Sequence, residues 1–357
     1  MMRTRSALLF LALPGVILGT FTTQGFASDH SAATGPIVGE ATAYSSSPAL
    51  RDVRSSQQVE AHPAPSRINP LAGEADGTRS GDDAPTDPLI RQPASAAATP
   101  SLERRFQGLR NPFACGGCTP PDPNGDVGPN HYVQMVNATK VAVFSKAGNL
   151  LAQPIDLGDL WPGGACASNA GDPIVLYDGL ADRWLLSQFA FPSFMCVAIS
   201  QTGNPLGSYH LYTFNVGSFP DYFKFGVWPD SYYMSANESS YTAYAFDRAK
   251  MLVGDQTALF VKFTGQNNFL LPADLDGATP PPVGTPGFFY TFKDNAFHGL
   301  RDRIELFTLQ VDWANPIAAT FSLDRRFPAA PFTYTVCGFF NFNCARQRGT
   351  NQRIDVV

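Results

Sequence analysis

Short runs of alternating apolar and polar residues dominate the chain beyond Phe106. Ten of these runs combine a period of two with many aromatic and β-branched residues, a pattern typical of half-buried strands. They are HYVQMVN, KVAVFSK, DPIVLYD, DRWLLSQFAF, CVAISQT, GSYHLYTF, SYYMSAN, YTAYAFD, ALFVKFT and IELFTLQVDW. A helical pattern occurs in FDRAKMLVGD, and it is short. The pattern therefore predicts an all-β protein.

An internal repeat organises these strands. The segment VGPNHYVQMVNATKVAVFSKAG, from Val127, aligns with VWPDSYYMSANESSYTAYAFDRAK, from Val227, at an offset of 100 residues. In both copies a V-x-P-[ND] turn enters a strand that ends at Asn137 or Asn237. Units that open near 127, 172, 227 and the 280s are about 45 to 60 residues apart, which suits four-stranded propeller blades. The repeat favours a β-propeller, and the alternative is a β-sandwich.

The N-terminal residues have the pattern of a secretory signal peptide. Two arginines precede an apolar run, and Gly25 and Ala27 have the spacing that suits cleavage after Ala27. The run is shorter than the roughly 20 residues that span a bilayer, although an uncleaved anchor is the alternative. Residues 28–105 are rich in Ala, Ser and Pro and poor in aromatics, which predicts a disordered linker. The sequence thus predicts a secreted or periplasmic protein with a β-propeller domain at 106–357.

Net charge and cysteine content indicate which partners and which cellular compartment to expect. The net charge is −5, and the chain has no basic run, so nucleic acid is not an expected partner. Six cysteines in an exported chain are expected to form disulfides before they bind metal or act as nucleophiles. A redox role for the CGGC motif is the weaker alternative, because no helical pattern follows it. The preferred pairs, with other connectivities open, are Cys115–Cys118, Cys337–Cys344 and, by elimination, Cys166–Cys196.

The stretch PDPNGDVGPNHYVQMVN carries the one metal-site candidate of the sequence. Asp122, Asn124 and Asp126 alternate as ligands do in a calcium loop. Pro123 and Val133 depart from the EF-hand pattern, since Val133 stands where a bidentate Glu is expected. Calcium is therefore the cofactor to test here, and a turn held by side-chain hydrogen bonds is the alternative.

Two further sets of residues are candidates for carbohydrate chemistry. Hydrolysis of a glycosidic bond requires two carboxylates that face each other across the sugar. The carboxylates near predicted blade-entry strands are Asp126, Asp172, Asp230 and Glu305. Trp161 and Trp228 are candidates for stacking on a sugar ring. Alternatively, the four carboxylates have structural roles in turns and strands, and the two indoles pack between blades.

The chain resembles a poorly characterised family of secreted bacterial proteins with a β-propeller domain. The strings PPDPNGDVGPNHYVQMVN, DPIVLYDGLADRW and CVAISQTGNPLGSYHLYTF carry this resemblance, which covers most of residues 106–357. A more remote similarity to sialidase-like and arabinanase-like propellers is at the level of fold, which does not carry function. A propeller closes its ring with a terminal strand, yet NQRIDVV resembles half a strand without a partner. We therefore expect an incomplete C-terminal blade and a chain truncated from a longer protein.

These observations predict an exported binding module. Its expected partner is an extracellular ligand, either a glycan or a protein. One alternative is a glycoside hydrolase that uses carboxylates in a central channel. The other is a structural surface domain without a ligand of its own.

Overall fold

The computed structural model describes residues 35–54, 104–109, 121–266, 270–277, 279–333, 345–346 and 353–354. Strands and turns make up most of this part, which confirms the predicted all-β class. Helix α1 (Arg248–Val253) forms within the one stretch that has a helical pattern. The Asp247 side chain caps it by accepting from the Lys250 amide, and Gly254 ends it with a left-handed backbone. Helix α2 (Asn295–His298) is a single turn.

Most described strands belong to four consecutive antiparallel meanders of four strands, which we call units I to IV. Unit I comprises β2 (Asn124–Val127), β3 (His131–Val136), β4 (Lys140–Ser145) and β5 (Ile155–Asp156). Unit II comprises β6 (Ile174–Asp178), β7 (Arg183–Ala190), β8 (Phe194–Ser200) and β9 (Tyr209–Asn215). Short 3-10 turns at Leu157–Leu160 and Ala165–Ala167 connect these two units.

Units III and IV continue the pattern, and all ten segments predicted as strands form strands. Unit III comprises β10 (Asp221–Val227), β11 (Ser231–Asn237), β12 (Tyr241–Asp247) and β13 (Leu259–Gln266). Unit IV comprises β14 (Leu271–Pro272), β15 (Gly287–Lys293), β16 (Arg303–Gln310) and β17 (Thr320–Pro328). A 3-10 turn at Pro316–Ala318 precedes β17.

The hydrophobic core lies between successive units. Three buried clusters form, one between each pair of neighbours. Val133 of unit I and Leu186 of unit II belong to one cluster, and Phe189 of unit II and Met234 of unit III belong to the second. Tyr233 of unit III and Phe289 of unit IV belong to the third. The middle strands of units II and III are therefore buried on both faces, which explains why their sequences are almost continuously apolar.

Strand β1 (Ile37–Ser46) corrects the predicted disordered linker at 28–105. Its first half pairs with β13 and its second half with β9, so that it joins units II and III into a nine-stranded sheet. The following 3-10 turn, Leu50–Asp52, buries Leu50 in the core between units I and II. The linker prediction failed here because β1 has no fully buried residue and is held by backbone pairing, which leaves no apolar periodicity. Residues 55–103 lie outside the described part.

A buried ion pair links units II and III. Asp178, which is fully buried, accepts hydrogen bonds from Arg248 Nε at 2.7 Å and Nη2 at 2.9 Å. Its carboxylate also accepts from the Tyr232 hydroxyl at 2.9 Å and from the amides of Leu180 and Ala181. These partners satisfy the charge that burial would otherwise make costly.

The described cysteines form the disulfide Cys166–Cys196, which confirms that predicted pair. The other predicted pairs, Cys115–Cys118 and Cys337–Cys344, lie outside the described residues. Strand β19 (Arg353–Ile354) pairs with β18 (Ala345–Arg346), so the expectation that the last strand has no partner is wrong. Incompleteness of the C-terminal blade stays a prediction. Among the described helices, neither length nor apolar content reaches what a membrane span requires.

We predict that Asp178→Asn lowers the free energy of unfolding by about 3 to 5 kcal/mol, because it leaves the buried Arg248 guanidinium without its counter-ion. Urea denaturation measures this loss. The control is the double variant Asp178→Leu with Arg248→Met, which removes both charges and should recover much of the stability. A loss below about 1 kcal/mol in the single variant would show that the pair does not hold the two units together.

We also predict that removal of residues 28–54 destabilises the protein, since it uncovers the outer edges of β9 and β13. The shortened chain should melt at a lower temperature and form oligomers in light scattering. A chain that begins at residue 28 is the reference. Equal melting temperatures and a monomeric shortened chain would contradict a structural role for β1.

Candidate functional site

Three residues with an unusual backbone lie where the chain enters units I, II and III. Asp122, Asp172 and Tyr222 are spaced by 50 residues and have φ values of 36°, 53° and 49°. A left-handed backbone costs a residue other than glycine about 1 to 2 kcal/mol. Such strain is tolerated where neighbouring structure enforces it, and it is enriched at functional sites.

Hydrogen bonds join these three entry positions to each other. Asn137, which follows β3 of unit I, donates through Nδ2 to Asp122 Oδ2 at 2.9 Å. Its Oδ1 accepts from the Asp172 amide at 3.2 Å, and Asp172 Oδ2 accepts from the Tyr222 amide at 3.2 Å. A Cβ atom on Gly171 would lie 2.8 Å from Asn137 Oδ1, so glycine is required there. Units I, II and III thus contribute to one hydrogen-bonded group.

Lys224 completes this group from β10. Its Nζ lies 3.8 Å from the centroid of the Tyr222 ring and donates to the Phe223 carbonyl at 3.2 Å. Burial lowers the pKa of Lys224, while the charges of Asp172, Asp122 and Asp221 oppose that shift. Burial and the carboxylates of Asp122 and Asp172 raise the pKa of Tyr222. We call Asp122, Asn137, Asp172, Tyr222 and Lys224 the entry cluster.

Exposed aromatic rings adjoin the entry cluster. Phe191, in the turn between β7 and β8, is 56% exposed and stacks parallel to Phe219 with a centroid distance of 4.8 Å. Phe189 packs against Phe219 at 4.7 Å, and its amide donates to the Gly171 carbonyl, next to Asp172. Tyr222 itself is 42% exposed. The site therefore combines polar groups with aromatic rings that are partly exposed to solvent.

This arrangement suits a ligand that carries many hydroxyl groups. Carboxylates accept hydrogen bonds from hydroxyls, an ammonium donates to them, and an amide does both. Aromatic faces cover the apolar side of a ring-shaped ligand. Pockets that bind small molecules combine apolar walls with a few polar groups in the same way.

The predicted calcium ligands engage separate partners. Asn124 Oδ1 accepts from the Val175 amide at 2.7 Å, and Asp126 Oδ2 accepts from the Tyr177 amide at 2.6 Å. Asp122 faces Asn137 instead. Within the part of the chain that the structure describes, no group of three or more His, Cys, Asp or Glu side chains is arranged to hold a metal ion. Calcium at these residues stays a prediction.

The carboxylates that were candidates for catalysis are placed apart along the strands. Asp126 accepts from the amide of Tyr177 within β6, whereas Asp172 precedes that strand. Asp230 follows β10 and accepts from the Tyr233 hydroxyl at 2.9 Å, and burial raises its pKa despite this bond. It lies at the opposite end of β10 from Tyr222, the neighbour of Asp172.

Glu305 of β16 is paired with arginines. Its Oε1 accepts from Arg303 Nε at 2.8 Å and from Arg326 Nε at 2.9 Å. Burial by itself would raise the pKa of Glu305, but the two arginines outweigh burial and hold the pKa below its ordinary value. Glu305 is therefore poorly suited to donate a proton.

The two tryptophan candidates for sugar stacking are both buried. Trp161 and Trp228 are each 7% exposed. Trp228 packs edge-on against Phe288 and donates through Nε1 to the Thr285 carbonyl at 3.1 Å. Both indoles are thus much less exposed than the rings of Phe191 and Tyr222.

Sequence reasoning missed Tyr222 and Lys224, and it assigned Asn137 to a strand end alone. The missed signal was the spacing, because Asp122, Asp172 and Tyr222 recur at intervals of 50 residues. The change from Asp to Tyr at the third position hid the equivalence. Comparison of the chain with protein-family models and with curated proteins finds no match. The family resemblance of the strings therefore stays a prediction.

Lys293 of β15 is an unusual buried charge near Glu305. Lys293 lies opposite Arg303 in the β15–β16 strand pair and is 2% exposed. Its Nζ has no hydrogen-bond partner among the described residues. Burial lowers the pKa of Lys293 to about 8, an effect that Glu305 opposes and Arg303 strengthens. Since the ordinary value is 10.5, the unfolded chain binds more protons than the folded protein between these two values.

We predict that Lys293→Met raises the free energy of unfolding at pH 7 by about 2 kcal/mol, because the cost of burying the ammonium disappears. The advantage of the variant should shrink as pH rises from 8 towards 10.5, where the native lysine loses its proton. Urea denaturation of both proteins across this range measures the difference. A variant that is less stable at pH 7, or an advantage that does not change with pH, would contradict the prediction.

Proposed function

We propose that the chain is an exported β-propeller module that binds a hydroxyl-rich glycan at the entry cluster. Three lines of support come from the arrangement of the units, from the disulfide and from the chemistry of the cluster. Binding is favoured over hydrolysis because Asp126 is committed to the Tyr177 amide and Glu305 is held by arginines.

Contacts among the first strands support a propeller. Asp126 of unit I bonds the amide of Tyr177 in unit II. Asp274, which follows β14 of unit IV, accepts from the Val227 amide of unit III at 2.7 Å. Burial raises the pKa of Asp274, and the charges of Asp276 and of Asp126 in unit I add to the shift. First strands that meet around one centre are the arrangement of propeller blades.

Equivalent positions in units I and III give further support. Tyr132 lies opposite Phe144 in the β3–β4 pair, and Tyr232 lies opposite Phe246 in the β11–β12 pair. These are residues that the internal repeat aligns. A shared strand register is what a blade repeated along the chain would produce.

Export is supported by the disulfide and by the N-terminal pattern. The bond between Cys166 and Cys196 suits an oxidising compartment, either the periplasm or the exterior. The signal-peptide pattern at 1–27 points to the same compartments. A module placed there meets polysaccharides and surface proteins.

The observation that carries the ligand class is the composition of the entry cluster. Three units bring two carboxylates, an amide and an ammonium to one place, and the ring of Tyr222 and the Phe191–Phe219 pair lie beside them. A protein ligand would contact a larger area, on the order of 800 Å² on each partner. A sugar is matched by hydroxyl-binding groups next to aromatic faces.

We predict that the purified chain from residue 28 binds neutral oligosaccharides on a glycan array. Asp172→Asn and Lys224→Met should each weaken the best binder about tenfold, which corresponds to about 1.4 kcal/mol. Asp52→Asn, which removes an exposed carboxylate from the 3-10 turn Leu50–Asp52, is the control and should leave affinity unchanged.

Two outcomes would overturn the proposal. One is an array without any binder together with specific capture of a protein in a pull-down, since the ligand would then belong to another class. The other is glycan binding that Asp172→Asn and Lys224→Met leave intact, which would place the ligand away from the entry cluster. Thermal melts of each variant exclude loss of fold as the cause.

A further inference from the structure

One face of the unit IV sheet is apolar and partly exposed. Leu271 lies opposite Tyr290, which in turn lies opposite Leu306, and Ile304 lies opposite Phe327. Side chains directly opposite each other, or two residues apart in one strand, share a face of the sheet. Tyr290, Ile304 and Phe327 are 40%, 42% and 42% exposed, and Leu271 and Leu306 are half-buried. We call these five residues the outer face.

The opposite face of the same sheet packs on unit III. Phe289 and Phe307 alternate with the outer-face residues along β15 and β16, and they are buried in the cluster that contains Tyr233 of unit III. A sheet with one face on the core and the other in water normally alternates apolar with polar residues. Here the outer residues are apolar as well, which indicates that a second layer packs on them.

Units II and III each have both faces covered, one by the preceding unit and one by the following unit. In β8, Ala198 packs towards unit I and Val197 packs towards unit III. In β11, Met234 packs towards unit II and Tyr233 packs towards unit IV. The outer face of unit IV is the equivalent of the surfaces that a following unit covers. The residues that come after β17 are therefore its expected partner.

The chain leaves β17 beside the outer face. The amide of Ala329 donates to the Asp302 carbonyl, and the amide of Phe332 donates to Asp302 Oδ2, both at 2.9 Å. The Phe332 ring packs against Phe292 with a centroid distance of 6.0 Å. Because Phe292 lies opposite Ile304, Phe332 contacts the same side of the sheet as the outer face.

We infer that residues 334–357 cover the outer face, in the way that each unit covers the one before it. Apart from β18 and β19, this segment lies outside the described residues. It follows directly on the Phe332–Phe292 contact and contains the apolar strings YTV, GFFNF and IDVV. A two-stranded ladder such as β18–β19 is marginally stable unless it packs against other structure. The inference is independent of glycan binding, because the entry cluster has no residue in unit IV.

Photo-crosslinking in the chain from residue 28 tests the inference directly. p-Benzoylphenylalanine replaces Tyr290, and mass spectrometry identifies the peptide to which it couples on irradiation. Coupling to a peptide from residues 334–357 of the same chain is the expected result. The control carries the same group in place of Val253, which is 73% exposed at the end of helix α1 and should not couple to that segment.

Thermal melts provide a second test. Ile304→Thr should lower the melting temperature of the chain from residue 28 by about 2 to 4 °C, because it removes apolar area from a covered surface. In a chain that ends at residue 333 the same substitution should have little effect, because the covering segment is absent. Ile317→Thr is the matched control, since this side chain is 65% exposed in the turn before β17 and should behave alike in both chains.

Three outcomes would overturn the inference. They are coupling from position 290 to a second copy of the chain, the absence of coupling to residues 334–357, and an Ile304→Thr effect of the same size in both chains. If the chain that ends at residue 333 does not fold, the coupling from position 290 decides alone. Failure of neutral glycan binding, by contrast, bears on the entry cluster and leaves this inference unaffected.

Discussion

The first strands of units II and III, β6 and β10, lie at the two ends of the nine-stranded sheet, and the edge that each leaves without a strand partner shapes the rest of the structure. An amide that faces neither water nor a partner is costly, so the edge must be satisfied. Side chains of the neighbouring unit provide the partners: Asn124 for Val175, Asp126 for Tyr177 and Asp274 for Val227. These bonds set both the separation and the register of adjacent first strands. The carboxylate of Asp126 is thereby committed to structure.

The entry cluster follows from that register. Once β6 is fixed beside β2 at Tyr177, the start of β6 lies next to the start of β2, and Asp172 reaches Asn137. The same relation between units II and III brings the Tyr222 amide to Asp172. The buried clusters between the units, together with the Asp178–Arg248 ion pair, fix these positions relative to each other. A rigid scaffold thus holds the polar groups and rings that we propose as the sugar site.

The sequence was most informative where burial imposes a period. Ten strands followed from alternation, because strands such as β8 and β11 pack between two units and must be apolar. The sequence did not predict strand β1, because backbone pairing with β9 and β13 requires no apolar pattern. The candidate carboxylates were chosen for their places near predicted strand entries, but their roles depend on which backbone amide or arginine each one meets. Contacts between distant segments, such as Asp126 with Tyr177, have no local signature in the sequence.

The central claim, that the outer edges of β6 and β10 are closed by side chains of neighbouring units, is tested most directly by native-state hydrogen exchange. The amides of Val175, Tyr177 and Val227 should exchange as slowly as amides within the β7–β8 pair, because Asn124, Asp126 and Asp274 accept from them. Exchange of these three amides at the rate of exposed turn amides would contradict the account, since the first strands would then be open edges.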